Sequence, residues 1–165
     1  SDKVWTEQFH TIITRLKSAD YCHYEISNFA RSGHRSRHNE AIWRNGFYAG
    51  LGPSAHGYLP NGTRTQVASS WDDWWGKEPI KIESLGSNEA AIDAVLTWIR
   101  HIDGIVFEQL KAIGWLLPNS LIDNLVEQGL IWRTNSAFGL TLKGQFIADT
   151  VTLKIIDGLQ CRKDV

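Results

Sequence analysis

Residues 4–29 hold one helix followed by one strand, and this single α/β unit constrains the fold more than any other feature. Trp5, Phe9, Ile12, Ile13 and Leu16 recur at helical spacing, so residues 4–18 read as an amphipathic helix. Residues 24–29 read as a strand with Tyr24 and Ile26 on one face and Glu25 and Ser27 on the other. A helix running into a strand is the rhythm of an α/β barrel or sheet, yet one unit cannot close a barrel. The chain is therefore expected to start midway through a fold. It opens Ser1-Asp2 and contains no Met, which points to a processed product or an excised piece.

Residues 31–45 read as irregular and polar. Residues 47–58 read as a strand broken by glycines, where the backbone must bend or approach something closely. Asn61-Gly62 signals a hairpin turn, with residues 63–67 as the return strand. Trp71, Trp74 and Trp75 place three indoles on one side of a helical turn, and residues 76–87 read as a linker. Beyond it the spacing predicts a helix over 88–102 with Ala91, Ala94, Val95, Trp98 and Ile102 inward. A short helix over 106–113 ends near Gly114. A third starts at Ser120 with a capping-box-like Ser120-x-x-Asp123 and stops at Gly129. Residues 130–133 and 138–142 form a hairpin, and a last helix over 143–157 buries Phe146, Ile147, Val151 and Ile155. The expected class is α+β. A remnant of the last α/β unit of a barrel with a β extension (1–75) leads through the linker (76–87) to a winged-helix-like domain (88–165).

Composition narrows the partners. The formal net charge is −1, which gives no global pull toward nucleic acid or anionic membranes. The winged-helix pattern raises a DNA-binding reading. The candidate recognition helix, 120–128, carries Asp123 and Glu127 and no Lys or Arg, so no nucleic-acid partner is expected. No run of 18 apolar residues occurs, so no membrane insertion is expected. Cys22 and Cys161 are the two cysteines, far apart and outside any CxxC or CxxxCxxC pattern. They suggest a reduced, cytoplasmic setting, with Cys22 a small buried hydrophobe.

The densest polar cluster is Arg31, His34, Arg35, Arg37, His38 and Arg44. Arginine forks match carboxylates, such as porphyrin propionates, and phosphates; a solvated loop is the plainer alternative. His38, with Asn39 beside it and Trp43 further on, could ligate haem iron as a neutral imidazole, or could simply bond backbone. His56 stands as a second possible ligand or as a half-buried strand residue. Gly50-Leu51-Gly52-Pro53-Ser54 offers backbone amides to an anionic group, or marks a structural bend. Glu25 and Ser27 would point into a barrel interior and bond a cofactor, or would fill the barrel mouth as a polar network.

The motifs Tyr24-Glu25-Ile26-Ser27-Asn28-Phe29-Ala30, Gly33, Arg37-His38-Asn39, Trp43 and Tyr48-Ala49-Gly50-Leu51-Gly52-Pro53-Ser54-Ala55-His56 stand in order. Together with Leu125-Val126-Glu127-Gln128-Gly129-Leu130 and Leu140-Thr141-x-x-Gly144, they resemble the oxygen-independent coproporphyrinogen III oxidase-like family, and within it the HemW branch. The resemblance spans nearly the whole chain. It implies the C-terminal part of a radical S-adenosylmethionine protein with a partial (β/α)6 barrel. The parent family carries a four-iron four-sulfur cluster bound by CxxxCxxC, and none of those cysteines is in this chain. The family's oxidases convert coproporphyrinogen III to protoporphyrinogen IX, whereas the HemW branch is similar to a haem-delivering chaperone. The resemblance implies haem or porphyrin contacts at Arg35, Arg37, His38, Asn39 and Trp43. It implies S-adenosylmethionine-side positions at Glu25, Ser27, Gly52, Ser54, Ala55 and His56. No catalytic residue, no metal ligand and no independent radical chemistry are expected of this chain, whose enzyme status stays open. Haem or a porphyrinogen is the expected partner, and a separate N-terminal radical-SAM half a further one. A structural module docking on that half is the alternative reading. The family's HNxxYW motif stands here as His38-Asn39-Glu40-Ala41-Ile42-Trp43, with Ile42 in place of Tyr. Its GPGAHS stands as Gly52-Pro53-Ser54-Ala55-His56-Gly57, with Ser54 in place of Gly.

Overall fold

Helix α1 (Asp2–Ser18) closes with Arg15 and Lys17 in its last turn, where positive charge complements the helix dipole. The computed structural model describes residues 2–76 and 80–161. After α1 the chain reverses at Asp20, whose φ of 62° turns it into β1 (Tyr21–His23). Strand β1 pairs antiparallel with β2 (Phe29–Arg31), with Cys22 opposite Ala30. The strand expected over 24–29 is thus corrected to the loop of this hairpin, reaching strand only at Phe29. The cause is Glu25. Its Oε1 accepts from the Ser27 amide (2.6 Å), the Ser27 hydroxyl (2.9 Å) and the Asn28 side-chain amide (2.6 Å), which folds the segment back on itself. The expected alternation fails with it: Tyr24 and Glu25 are both buried and Ser27 is exposed.

Residues 37–43, expected to be irregular, form helix α2 (Arg37–Trp43). Next come β3 (His56–Tyr58) and β4 (Thr63–Val67), joined at Asn61-Gly62 as expected. Gly62 has φ of 76°, and Asn61 Oδ1 accepts from the Thr63 amide at 3.2 Å. Helix α3 (Trp71–Trp74) is a single turn capped by Ser70. The expected linker is corrected in part. Its residues Ile80–Ser84 form β5, which pairs along all of β4 and completes the sheet β3-β4-β5. Positions 77–79 of that linker lie outside the described residues.

The larger core lies C-terminal to this sheet. Helix α4 (Ser87–Trp98) leads to β6 (Ile105–Val106), α5 (Phe107–Ala112), β7 (Trp115–Leu116) and α6 (Asn119–Glu127). There follow β8 (Ile131–Arg133), β9 (Ala137–Leu140), α7 (Leu142–Phe146), α8 (Ala148–Asp157) and β10 (Gln160–Cys161). Strands β6, β9 and β8 form one antiparallel sheet in that order, and β10 pairs with β7. Val95, Ile99, Ile105, Leu110, Ile122, Leu125, Phe138, Val151 and Ile155 interlock beneath them. Three details differ from the sequence reading. Helix α4 ends before Ile102, which is exposed, and Ile99 takes the inward place. Helix α6 starts at Asn119 with no side-chain cap, and Asp123 pairs instead with Arg133 at 2.5 Å. The last helix breaks at Ile147, which is exposed. Outside this core, Cys22 of β1 is exposed rather than buried.

Candidate functional site

Helix α2 carries the His38-Asn39…Trp43 motif, and its start is fixed by Ser36, whose Oγ accepts from the Asn39 amide at 3.3 Å. Along the helix His38 and Ile42 lie one turn apart on one stripe, and Asn39 and Trp43 on the neighbouring stripe. The two stripes meet different surroundings. Trp43 is half-buried, with the Arg100 guanidinium 4.6 Å from its ring centre. His38 and Arg37 are exposed.

A polar network holds α2 in place. Glu40 Oε1 lies 3.3 Å from Arg35 Nη1 and 3.5 Å from His101 Nε2. The second distance is too long for a hydrogen bond, so the buried Nε2 has no bonded partner among the described residues. His101 Nδ1 accepts from the Asp103 amide at 3.1 Å and lies 3.2 Å from the Asp103 carboxylate. Partial burial pushes the Glu40 carboxyl up. The bond from Arg35, the contact with His101 and the positive charges of Arg35 and Arg44 outweigh it and hold Glu40 below the ordinary glutamate range. Arg35 also lies over the Tyr24 ring at 5.5 Å, and the Tyr24 hydroxyl accepts from the Ser36 amide at 3.3 Å. Glu25 and His101 form an isolated antiparallel bridge, which ties the β1–β2 loop to the end of α4.

Of the positions expected on the haem side, the structure puts Arg37 and His38 in solvent, sets Arg35 into this network and packs Trp43 against Arg100. Asn39 is half-buried. On the S-adenosylmethionine side, Glu25 and Ser27 come together in the hairpin loop, and Glu25 Oε2 is buried with no bonded partner among the described residues. Gly52, Ser54, Ala55 and His56 form a separate elbow that leads into β3. There the Ser54 amide bonds the Ala68 carbonyl (2.9 Å) and the Ala55 amide bonds the Gly52 carbonyl (3.1 Å). Those two amides are spent on the fold, which leaves less of a cradle than the glycine-rich sequence suggests. No group of three His, Cys, Asp or Glu among the described residues is arranged to hold a metal ion. Among the same residues, no helix is long and apolar enough to cross a membrane.

Three curated relatives match over most of the chain. The "Heme chaperone HemW" of Bacillus subtilis is 28% identical over 88% of this chain and 41% of its own length. That of Synechocystis is 30% identical over 75% of this chain and 29% of its own. The mouse "Radical S-adenosyl methionine domain-containing protein 1, mitochondrial" is 28% identical over 89% of this chain and 38% of its own. The chain is a C-terminal part of a HemN/HemW-like radical S-adenosylmethionine protein. It spans about two fifths of the length of the first of these relatives. No family model matches. The structure of the Escherichia coli coproporphyrinogen III oxidase HemN, described as a radical SAM enzyme, superposes with a TM-score of 0.66 at 13% identity. It covers 89% of this chain and 39% of that one, which establishes a shared mixed α/β fold.

In this HemN/HemW-like chain the sequence reading missed His101, Glu40, Arg100 and Asp103. His101 carries no local motif; only the chain's return to the β1–β2 loop brings it beneath α2. Also missed is a cleft of about 490 Å³ between α1, β1 and the β8–β9 hairpin, lined by Ile13, Tyr21, His23, Phe29, Trp132 and Leu140. His23 stacks on Phe29 at 4.4 Å and its Nε2 bonds the Ile26 carbonyl at 2.9 Å, so this imidazole serves the hairpin.

Proposed function

We propose that the chain is the C-terminal part of a haem chaperone of the coproporphyrinogen III oxidase-like group and that α2 presents its haem contact. The observation that carries this is the division of labour on α2. Trp43 packs against Arg100 just past α4 and Glu40 pairs with Arg35, while His38 faces solvent with Arg37 beside it and apolar Ile42 one turn below. A solvent-facing neutral imidazole suits an iron ligand, a flanking guanidinium suits a propionate, and an apolar side chain suits the macrocycle. Haem bound there would supply the iron; His38 and Arg37 bind and orient it, and Asn39 and Ser36 hold the helix start. On this reading Arg35 acts through Glu40 rather than on the porphyrin.

The finer fold reading belongs to the same proposal. The order α4, β6, α5, α6, β8, β9 with sheet order β6-β9-β8 supports a winged-helix-like domain. Helix α1 and the β1–β2 hairpin support a barrel-end remnant that leads into the β3–β5 extension. Trp5, half exposed at 50%, and Ile12 leave part of the apolar face of α1 uncovered, which favours docking on a radical-SAM half. The iron–sulfur cluster and S-adenosylmethionine would reside on that half, and Glu25 with its unbonded Oε2 is the group here that would accept a bond from its side. The elbow at Gly52, Ser54, Ala55 and His56 would border it. The setting proposed is cytoplasmic, with no radical chemistry by this chain alone.

Haem titration followed by the Soret band tests the function. One haem per chain is expected, and His38→Ala should weaken binding by about tenfold or more. Equal binding by parent and variant would remove the ligand assignment.

A further inference from the structure

Strand β5 is an outer strand of its sheet, unpaired on one side among the described residues. All five residues, Ile80-Lys81-Ile82-Glu83-Ser84, are exposed, with Ile80 at 49% and Ile82 at 67%. The backbone bonds show which groups face outward. The Leu85 amide bonds the Gly62 carbonyl, and β5 is in antiparallel register with Thr63 opposite Ser84. Bonding in such a ladder alternates, so Lys81 and Glu83 direct their amides and carbonyls at β4. The β3 side agrees, because Thr63 and Val67 of β4 bond Leu59 and Ala55 there, which leaves Arg64 and Gln66 to serve β5. The amides and carbonyls of Ile80, Ile82 and Ser84 therefore point away from the sheet. No strand pairs with them among the described residues.

We infer that β5 is a homodimerisation edge, on which a second copy of the chain adds its own β5 antiparallel about a two-fold axis at Ile82. In that register Ile82 lies opposite its own copy and Ile80 opposite the partner's Ser84. All three outward-facing residues of each strand then bond across the axis, giving a continuous six-stranded sheet. The side chains agree. Lys81 falls opposite the partner's Glu83 and Glu83 opposite the partner's Lys81, which makes two cross-strand ion pairs on one face. Ile80 and Ile82 of both copies cover each other on the other face. Neither Lys81 nor Glu83 has an ion-pair partner among the described residues of its own chain. The edge has no bulge and no internal proline, two devices against such pairing, and its Lys81, a third, meets the partner's Glu83 in this register. A heterologous strand would not need this palindromic charge order; a second copy does.

Sedimentation of the whole chain tests the inference. The parent chain should sediment as a dimer at about 0.1 mM. Lys81→Glu alone sets carboxylates opposite one another, and Glu83→Lys alone sets ammonium groups opposite one another. Each should weaken the dimer by about tenfold or more. The chain with both changes restores the palindrome and should dimerise as the parent does. The two single variants mixed should form a heterodimer. This rescue separates pairing from any loss of folding. A parent chain that stays monomeric, a dimer indifferent to both single reversals, or a failure of the double variant to recover would each overturn the inference.

Discussion

Two residues at tight backbone positions distinguish structural motifs from functional ones. Gly144 is buried where α7 passes the Leu130 carbonyl, and a side chain there would overlap that oxygen. Thr141 caps the same helix, accepting from the Gly144 amide at 3.1 Å and donating to the Gly129 carbonyl at 2.6 Å. The Leu140-Thr141-x-x-Gly144 signature is thus explained by packing. Gly144→Ala should lower stability by about 1–3 kcal/mol, read as a shift in the urea midpoint at unchanged slope. Ser54 is the opposite case. Its φ of 62° lies in the left-handed region, where a Cβ is penalised. Ser54→Gly should raise stability by about 1 kcal/mol in the same assay. A loss of stability would mean that the serine side chain holds the elbow. The departure from the family glycine was legible in the sequence. Its conformational cost was not, because φ depends on how the elbow enters β3.

At the scale of elements, α2 is the clearest gain over the sequence. Its residues carry almost no apolar period, so the segment reads as loop; what makes it a helix is the Ser36 cap and the Glu40–Arg35 ion pair. The β1–β2 loop fails for the converse reason. It has strand-like residues, but the Glu25 carboxylate gathers three local donors and bends it. Hairpins were legible where the turn chemistry is strong, at Asn61-Gly62 and in β8–β9. Strand β5 was hidden because nothing in its own residues shows that β4 has a free side to accept it. The Glu40 network makes a pH-dependent prediction. A carboxyl held below its ordinary value stabilises the fold fully above about pH 4.3 and loses that contribution as the pH falls through its lower folded value. Glu40→Gln should be less stable than the parent at neutral pH, and the difference should shrink on acidification. Midpoints that stay parallel from neutral pH to about pH 3 would show that Glu40 holds no differential charge interaction.

For the whole molecule, the dominant core lies in the C-terminal half, while Tyr24, Ala30 and Val67 are the buried apolar residues among residues 2–76. On the proposed reading, a segment so thinly cored, with part of the α1 face exposed, would be covered by a radical-SAM half docked on it. The overall kinship was legible from ordered short motifs; the spatial roles within them were not. His38 and Trp43 sit five residues apart in one motif, yet one faces solvent and the other Arg100, just past α4. The central claim is that α2 presents the haem contact through His38. Ferric haem titrated into the parent chain, His38→Ala and His56→Ala, each first shown by circular dichroism to be folded, tests it most directly. The account predicts that the Soret shift is lost in His38→Ala and kept in His56→Ala; a shift kept in His38→Ala and lost in His56→Ala would contradict it.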